Sequence, residues 1–201
     1  MVMVDEVKAI VRLLMQRPIT EAIAIRVEET EGFEHLEIEN GVWVGFDEDE
    51  YMGGEEHGWI ETLIIHILTE WVLETGKGRI YPGDTDFVLD GTPENIRLKR
   101  RPDVAYVSSK NVKASKGYIY APPDLAVEII SPTERPGKIR KKLREYIQHG
   151  VKQVWHVYPD SREIVAHFPD ETSKTYRPGD TLPGGDLLPG FSLDVAAVFE
   201  A

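Results

Sequence analysis

The sequence has no cysteine among its 201 residues. This absence excludes disulfide bonds, thiolate nucleophiles, iron–sulfur clusters and cysteine-ligated zinc. There is also no apolar run of about 18 residues, which excludes a helix that spans a bilayer. Residues 1–8 mix apolar and acidic side chains and lack the basic stretch that opens a secretory signal. We therefore expect a cytoplasmic protein with no membrane contact.

Several catalytic signatures are missing as well. The chain has no Gly-x-Gly-x-x-Gly or Walker loop and no Gly-x-Ser-x-Gly elbow. Its six histidines show no His-x-x-x-His spacing, which disfavours a helical zinc site. Any chemistry is therefore expected to come from carboxylates and basic side chains.

Charge is strongly segregated along the chain. The net charge is −12, which by itself disfavours a nucleic-acid partner. Residues 1–96 contain 6 basic and 22 acidic residues, whereas residues 97–152 contain 14 basic and 5 acidic residues. Two interpretations are open, namely ordinary clustering on solvated faces or a local basic surface on an acidic body.

Apolar periodicity predicts two helices and a series of strands. The helices cover 55–75 and 137–149, and Asn40-Gly41 predicts the turn of a hairpin over 35–46. The predicted strands lie at 79–89, 104–107, 125–130, 153–158 and 164–168. We expect loops over 90–100 and 169–190, where Gly, Pro and Asp are frequent.

The length predicts one compact domain. We expect residues 1–31 to form an N-terminal arm or helix and residues 32–201 to form the domain. Helices and strands are interspersed along the chain. The fold class should therefore be α/β (mixed α+β), with a central mixed β-sheet flanked by helices.

One carboxylate lies inside an apolar strand. Glu128 stands in the apolar run 125–130, and burial of an unpaired carboxylate costs several kcal/mol. It therefore needs a metal ion, a cation or a proton, and a buried Arg or Lys partner is an open alternative. Asp103 precedes the neighbouring strand, so both carboxylates can point to one place. Asp103 could equally be a turn or capping residue.

Lys142 supplies a third element. On a helical wheel it lies at the flank of the apolar stripe, where a lysine either reaches over the sheet edge or extends to solvent. Two carboxylates suit Mg²⁺ or Mn²⁺, and a divalent metal with a nearby ammonium is an arrangement that cleaves phosphodiesters. Basic residues in 97–101, 110–116 and 135–144 would then contact the phosphate backbone.

Four segments occur in an order typical of one known family. They are Arg101-Pro-Asp-Val-Ala-Tyr-Val107, Ala121-Pro-Pro-Asp-Leu-Ala-Val-Glu-Ile-Ile-Ser-Pro132, Lys142-Leu-Arg-Glu-Tyr146 and Gly150-Val-Lys-Gln-Val-Trp155. With these motifs, residues 33–200 resemble the Uma2 family, also called DUF820, of the PD-(D/E)xK restriction-endonuclease-like superfamily. The resemblance implies a restriction-endonuclease-like core and a metal-dependent nuclease that acts on DNA.

The resemblance also implies roles for individual residues. Asp103 and Glu128 match the two acids of the motif, which would hold Mg²⁺ or Mn²⁺ together with the backbone carbonyl of Ile129. Ile130 occupies the place of the lysine in Glu-x-Lys. Lys142 matches the lysine that Uma2-like proteins supply from the following helix.

Further residues are expected to support this site. Glu37 resembles the glutamate of the family's early hairpin, and His57 resembles the histidine that opens its first long helix, so either could support the metal ligands. A homodimer is expected, since nucleases of this superfamily often pair to cut both strands. The residues expected to contact nucleic acid are Arg100, Arg101, Lys138 and Lys141.

Two features depart from the family pattern. Lys138 stands where the family has an acid, and Pro136-Gly137 stands where it has basic residues. They leave open a non-catalytic member of the fold that binds nucleic acid or a protein, and also a hydrolase of small phosphoesters. Metal binding discriminates the nuclease from the non-catalytic alternative, because a working site binds Mn²⁺ and loses it on Glu128→Gln. A hydrolase of small phosphoesters would instead act on model diesters without binding a polymer.

Overall fold

A computed structural model describes residues 2–45, 54–112 and 117–199. These residues form five helices and twelve strands. The helices are α1 (Val2–Met15), α2 (Glu21–Glu28), α3 (Glu55–Thr75), α4 (Pro136–Gln148) and α5 (Ala196–Phe199). The strands are β1 (Glu37–Glu39), β2 (Val42–Val44), β3 (Gly78–Pro82), β4 (Phe87–Thr92), β5 (Asn95–Arg100), β6 (Val104–Ser108), β7 (Leu125–Ile129), β8 (Gln153–Tyr158), β9 (Glu163–His167), β10 (Ser173–Tyr176), β11 (Thr181–Pro183) and β12 (Ser192–Asp194).

The strands form two principal sheets. The smaller sheet has the order β2-β1-β5-β4 and is antiparallel. The larger sheet has the order β10-β9-β8-β7-β6-β3, and its β7–β8 pair is parallel whereas its other pairs are antiparallel. Helix α4 connects β7 to β8, as a parallel crossover requires. The predicted α/β fold with a mixed sheet and flanking helices is confirmed.

Helices α3 and α4 cover opposite faces of the larger sheet. Ile60, Ile64, Leu68 and Trp71 of α3 pack in one cluster with alternate strand residues such as Val127 and Trp155. Tyr146 of α4 packs in another cluster with the intervening residues, such as Ala126 and Val154. Because successive strand residues point to opposite faces, Glu128 points to the same side as Ala126, toward α4.

The N-terminal helices pack on the smaller sheet. Ile10 of α1 and Ala24 and Val27 of α2 share a buried cluster with Ile38 of β1 and Ile96 of β5. Thr20 caps α2, because its side chain accepts a hydrogen bond from the amide of Ile23. The N-terminal segment predicted as an arm or helix thus contains two helices, α1 and α2, and both contribute to the core.

Several predicted elements match the structure closely. The predicted helix 55–75 has the bounds of α3, and Gly76 ends it at φ 65°. Asn40 and Gly41 both have positive φ, at 51° and 71°, as a two-residue hairpin turn requires. Phe46, the last residue of the predicted hairpin, lies outside the described residues.

Three predictions about the strands were wrong. The stretch 79–89 is divided between β3 and β4, which belong to different sheets. The predicted loop 90–100 contains the end of β4 and all of β5, and the predicted loop 169–190 contains β10 and β11. In β5, Ile96 and Leu98 alternate with charged residues, and this alternation was the available signal for a strand.

The two sheets are joined where the site residues lie. Strand β5 of the smaller sheet ends at Arg100, and β6 of the larger sheet begins at Val104. Pro102 stands between them and has no N–H to extend either ladder. None of the described helices is long and apolar enough to cross a membrane.

Candidate functional site

A cavity of about 590 Å³ lies at the junction of the two sheets. Helix α3 lines it with His57 and Glu61, and helix α4 lines it with Lys138 and Lys142. The connection between β5 and β6 contributes Arg101 and Asp103. Acidic and basic side chains from distant parts of the chain therefore converge on one concave surface.

Asp103 lies directly before β6, beside the end of β7. Its Oδ2 accepts a hydrogen bond of 2.6 Å from the Ile129 amide. The carboxylate thus replaces the backbone carbonyl that would accept this bond in a regular β6–β7 ladder. The N–H and C=O of one strand residue point to the same side. The carbonyl of Ile129 is therefore directed to the same edge as the Asp103 carboxylate.

Glu128 is 6% exposed and is held by two groups of α4. The Tyr146 hydroxyl donates to Oε1 at 2.6 Å, and the Lys142 ammonium donates to Oε2 at 3.3 Å. Burial raises the pKa of Glu128 to about 7, with Lys142 opposing the shift and the charges of Asp103 and Glu37 adding to it. Glu128 therefore has the lysine partner that was one of the open alternatives, and the negative charges of Asp103 and Glu37 lie close to it.

Lys142 stands between two carboxylates. Its Nζ lies 3.3 Å from Glu128 Oε2 and 3.8 Å from Glu37 Oε2. Burial alone would lower the pKa of Lys142, but Glu128 and Glu37 raise it above its usual value. The lysine is therefore held as a cation. Burial likewise opposes ionisation of Glu37, but Lys142, Arg100 and Lys138 lower its pKa to about 2.

His57 lies next to Asp103. Its Nε2 is 3.3 Å from Asp103 Oδ1, and this hydrogen bond raises the pKa of His57 against the effect of burial. The structure thus brings Asp103, Glu128, Lys142, Glu37 and His57 together, with the backbone of Ile129 at the same edge.

Glu61 is a cavity residue that the sequence reasoning did not select. Its Oε1 accepts a hydrogen bond of 3.1 Å from the Gly83 amide, and burial raises its pKa, with the charge of Asp103 adding to the shift. A Cβ at Gly83 would lie 3.1 Å from Glu61 Oε1 and 3.2 Å from the Asp103 carbonyl oxygen. The position of Glu61 four residues after His57, on one helix face, was the available signal.

The expectation that Arg100 contacts nucleic acid is wrong, because its side chain has no exposed surface. Its Nη1 lies 3.2 Å from Glu37 Oε2 and its Nη2 lies 2.5 Å from Glu39 Oε1, and it also pairs with Glu145. Arg101 borders the cavity, but Asp86 binds its guanidinium at 2.7 Å. Much of the basic surplus in 97–152 therefore neutralises carboxylates within the fold.

Two of the other predicted contact residues are more accessible. Lys138 lines the cavity one turn before Lys142. Lys141 is exposed on α4, where it pairs with Glu39. Lys138 therefore lies on the cavity side of α4, whereas Lys141 lies on the side that contacts β1.

The donor set suits a divalent cation. Among the described residues, no three His, Asp or Glu side chains form a complete ligand cluster. Asp103, Glu128 and the Ile129 carbonyl would supply oxygen ligands and leave positions for water and substrate, which is the habit of Mg²⁺. Burial raises the pKa of Glu128, and the charges of Asp103 and Glu37 add to the shift; a cation between the two acids would offset this negative charge.

Comparisons with known proteins bear on the family and the fold. A family model described as "Uma2: Putative restriction endonuclease" matches residues 45–196. A solved structure from Anabaena variabilis ATCC 29413, described as a putative nuclease belonging to DUF820, superposes with a TM-score of 0.72. It is 18% identical, and the match covers 91% of this chain and 98% of that chain. Among curated proteins no match was found.

Proposed function

The chain belongs to the Uma2 family, and on that premise we propose that it is a metal-dependent nuclease that hydrolyses phosphodiester bonds in DNA. The observation that carries the proposal is the convergence of Asp103, Glu128 and Lys142 at one end of the larger sheet. Asp103 and Lys142 line one cavity, and Glu128 of β7 lies directly behind its wall, hydrogen-bonded to Lys142. The structural neighbour supports the fold in which this convergence occurs.

Asp103 and Glu128 would hold Mg²⁺ or Mn²⁺ together with the Ile129 carbonyl. A divalent cation at this place supplies charge neutralisation at the phosphate and an acidified water. Asp103 is oriented for this role by the Ile129 amide and by His57. These contacts hold the carboxylate in place from two sides, as partners of ligating carboxylates commonly do.

Lys142 would act on the substrate as a fixed positive charge. It is retained as a cation by Glu128 and Glu37, so it can stabilise charge that develops on the phosphate oxygens. Glu37 remains ionised down to strongly acidic pH because its pKa is about 2. Its role would be to keep Lys142 protonated and pointed at the carboxylate pair.

Nucleic acid would approach along α4. Lys138 lines the cavity, and Lys141 lies on the same helix with an exposed side chain. Because these lysines would neutralise phosphates and release counterions, binding should weaken as salt increases. The homodimer stays a prediction, and analytical ultracentrifugation of the full chain tests it.

Cleavage assays test the proposal directly. Supercoiled plasmid, single-stranded DNA and RNA are incubated at low salt with Mg²⁺, Mn²⁺ or EDTA. We expect metal-dependent cleavage of DNA that is lost in Asp103→Asn, Glu128→Gln and Lys142→Ala. Calorimetric titration with Mn²⁺ measures binding in the same samples and separates a missing metal from a missing substrate.

Lys152→Ala is the matched control for Lys142→Ala. Lys152 also pairs with a buried carboxylate, that of Asp124, but it lies outside the cavity. Its variant should cleave at the wild-type rate. Wild-type protein that binds no Mn²⁺ and cuts no substrate would favour the non-catalytic alternative.

A further inference from the structure

Tyr146 is a fully buried residue whose hydroxyl contacts the candidate site. Its exposure is 0%, and the hydroxyl donates to Glu128 Oε1 at 2.6 Å. The ring packs among apolar residues of β6, β7 and β8, including Ala105, Ala126 and Val154. A buried hydroxyl without a partner is costly, so this contact determines where the Glu128 carboxylate can lie.

Tyr146 and Lys142 act on the two oxygens of the same carboxylate. They are four residues apart on α4 and therefore lie on neighbouring turns of one helix face. Tyr146 binds Oε1, and Lys142 lies 3.3 Å from Oε2. Free rotation of the Glu128 side chain would break both contacts.

We infer that Tyr146 is a positioning residue, which holds Glu128 by Oε1 so that Oε2 is the oxygen presented to the divalent cation. This inference rests on the proposed function and adds a role for a residue that touches neither cation nor substrate. Hydrogen-bond partners of metal ligands typically change metal affinity about 10- to 100-fold when removed. Loss of the hydroxyl should therefore weaken cation binding rather than abolish the chemistry.

Tyr118 provides a matched control. Its hydroxyl donates to Glu28 Oε2 at 2.5 Å, in the core of the smaller sheet and away from the candidate ligands. Tyr146→Phe and Tyr118→Phe each remove one buried tyrosine–carboxylate hydrogen bond and keep the ring. Any effect of general stability should appear in both variants, whereas an effect on the site should appear only in Tyr146→Phe.

The test is Mn²⁺ titration by calorimetry on the full chain, followed by cleavage as a function of Mn²⁺ concentration. In Tyr146→Phe we expect the dissociation constant to rise about tenfold, with a near-normal cleavage rate once Mn²⁺ is saturating. Tyr118→Phe should bind Mn²⁺ as the wild type does. A second measurement needs no variant, since Mg²⁺ should shift the NMR resonance of the Tyr146 hydroxyl proton and leave that of Tyr118 unchanged.

The outcomes separate the two proposals. An unchanged dissociation constant in Tyr146→Phe, or equal weakening in both variants, overturns the role of Tyr146 and leaves the nuclease proposal standing. A Tyr146 hydroxyl resonance that does not shift on addition of Mg²⁺ also overturns the role of Tyr146 and leaves the nuclease proposal standing. Wild-type protein that binds no Mn²⁺ overturns both.

Discussion

The buried guanidinium of Arg100 allows a quantitative prediction about stability. Arg100 has no exposed surface and contacts Glu37, Glu39 and Glu145. Arg100→Met keeps much of the side-chain volume but leaves these buried carboxylates with fewer counter-ions. Removal of one partner from a buried ion pair typically costs about 3–5 kcal/mol.

The pKa of Glu37 gives an independent estimate of the same size. Lys142 and Arg100 overcome the effect of burial and lower this pKa from 4.5 to about 2. That difference corresponds to about 3 kcal/mol of folding free energy, which Arg100 shares with Lys142. The other two carboxylates add to the loss, so we expect Arg100→Met to lower the free energy of unfolding by about 3–5 kcal/mol at neutral pH.

The effect should depend on pH in a defined direction. A carboxylate with a lowered pKa stabilises the fold above its unfolded-state pKa and loses that contribution as the pH falls through its folded-state pKa. For Glu37 this window runs from 4.5 down to about 2. The difference between wild type and Arg100→Met should therefore be largest above about pH 5 and shrink toward about pH 2.

Urea unfolding at several pH values measures this difference. Arg177→Met is the control, because Arg177 pairs with Glu163 at an exposed position and should lose less than about 1 kcal/mol. If Arg100→Met does not fold, Arg100→Lys is the substitute, because it keeps the charge but loses the forked guanidinium geometry. It should lower the free energy of unfolding by less than Arg100→Met does. A loss below about 1 kcal/mol, or one that is equal at acidic and neutral pH, would refute the reasoning.

Two further predictions concern the site. Because burial raises the pKa of Glu128 from 4.5 to about 7, the metal-free wild type should lose stability as the pH rises through that range, and Glu128→Gln should flatten the dependence. Urea unfolding in EDTA measures it, and an unchanged profile would contradict the assignment. Gly83→Ala would place a Cβ 3.1 Å from Glu61 Oε1 and 3.2 Å from the Asp103 carbonyl. Cleavage should then slow by up to about a hundredfold with little change in unfolding free energy, whereas a wild-type rate would contradict the close packing of this wall.

The parts of the fold with strong local signals could be predicted from the sequence. Helix α3 has a continuous apolar stripe and a C-terminal glycine, and the Asn40-Gly41 turn needs only two residues. The proximity of Asp103 and Glu128 follows from their places at the start of one strand and the end of its neighbour. These inferences use contacts within one element or between adjacent strands.

The parts that depend on distant partners could not be predicted. Strand β5 ends in Lys99 and Arg100, and such residues are rarely buried unless they are paired. Their partners include Glu28 and Glu37, which lie 71 and 63 residues away. Composition therefore indicated an exposed loop and a basic surface, whereas pairing across the two sheets makes this segment interior.

This pairing also bears on how the chain can be divided. The stretch matched by the family model begins at residue 45, after α1, α2 and the β1–β2 hairpin. A fragment cut at that boundary would lack Glu28, Glu37 and Glu39, and within the described part of the chain Lys99 and Arg100 would keep only Asp86 and Glu145 as counter-ions. We therefore expect the unit that folds to be larger than the stretch matched by the family model. The N-terminal segment supplies carboxylates that complete the ion pairs of β5, much as one fragment of a split protein completes the other.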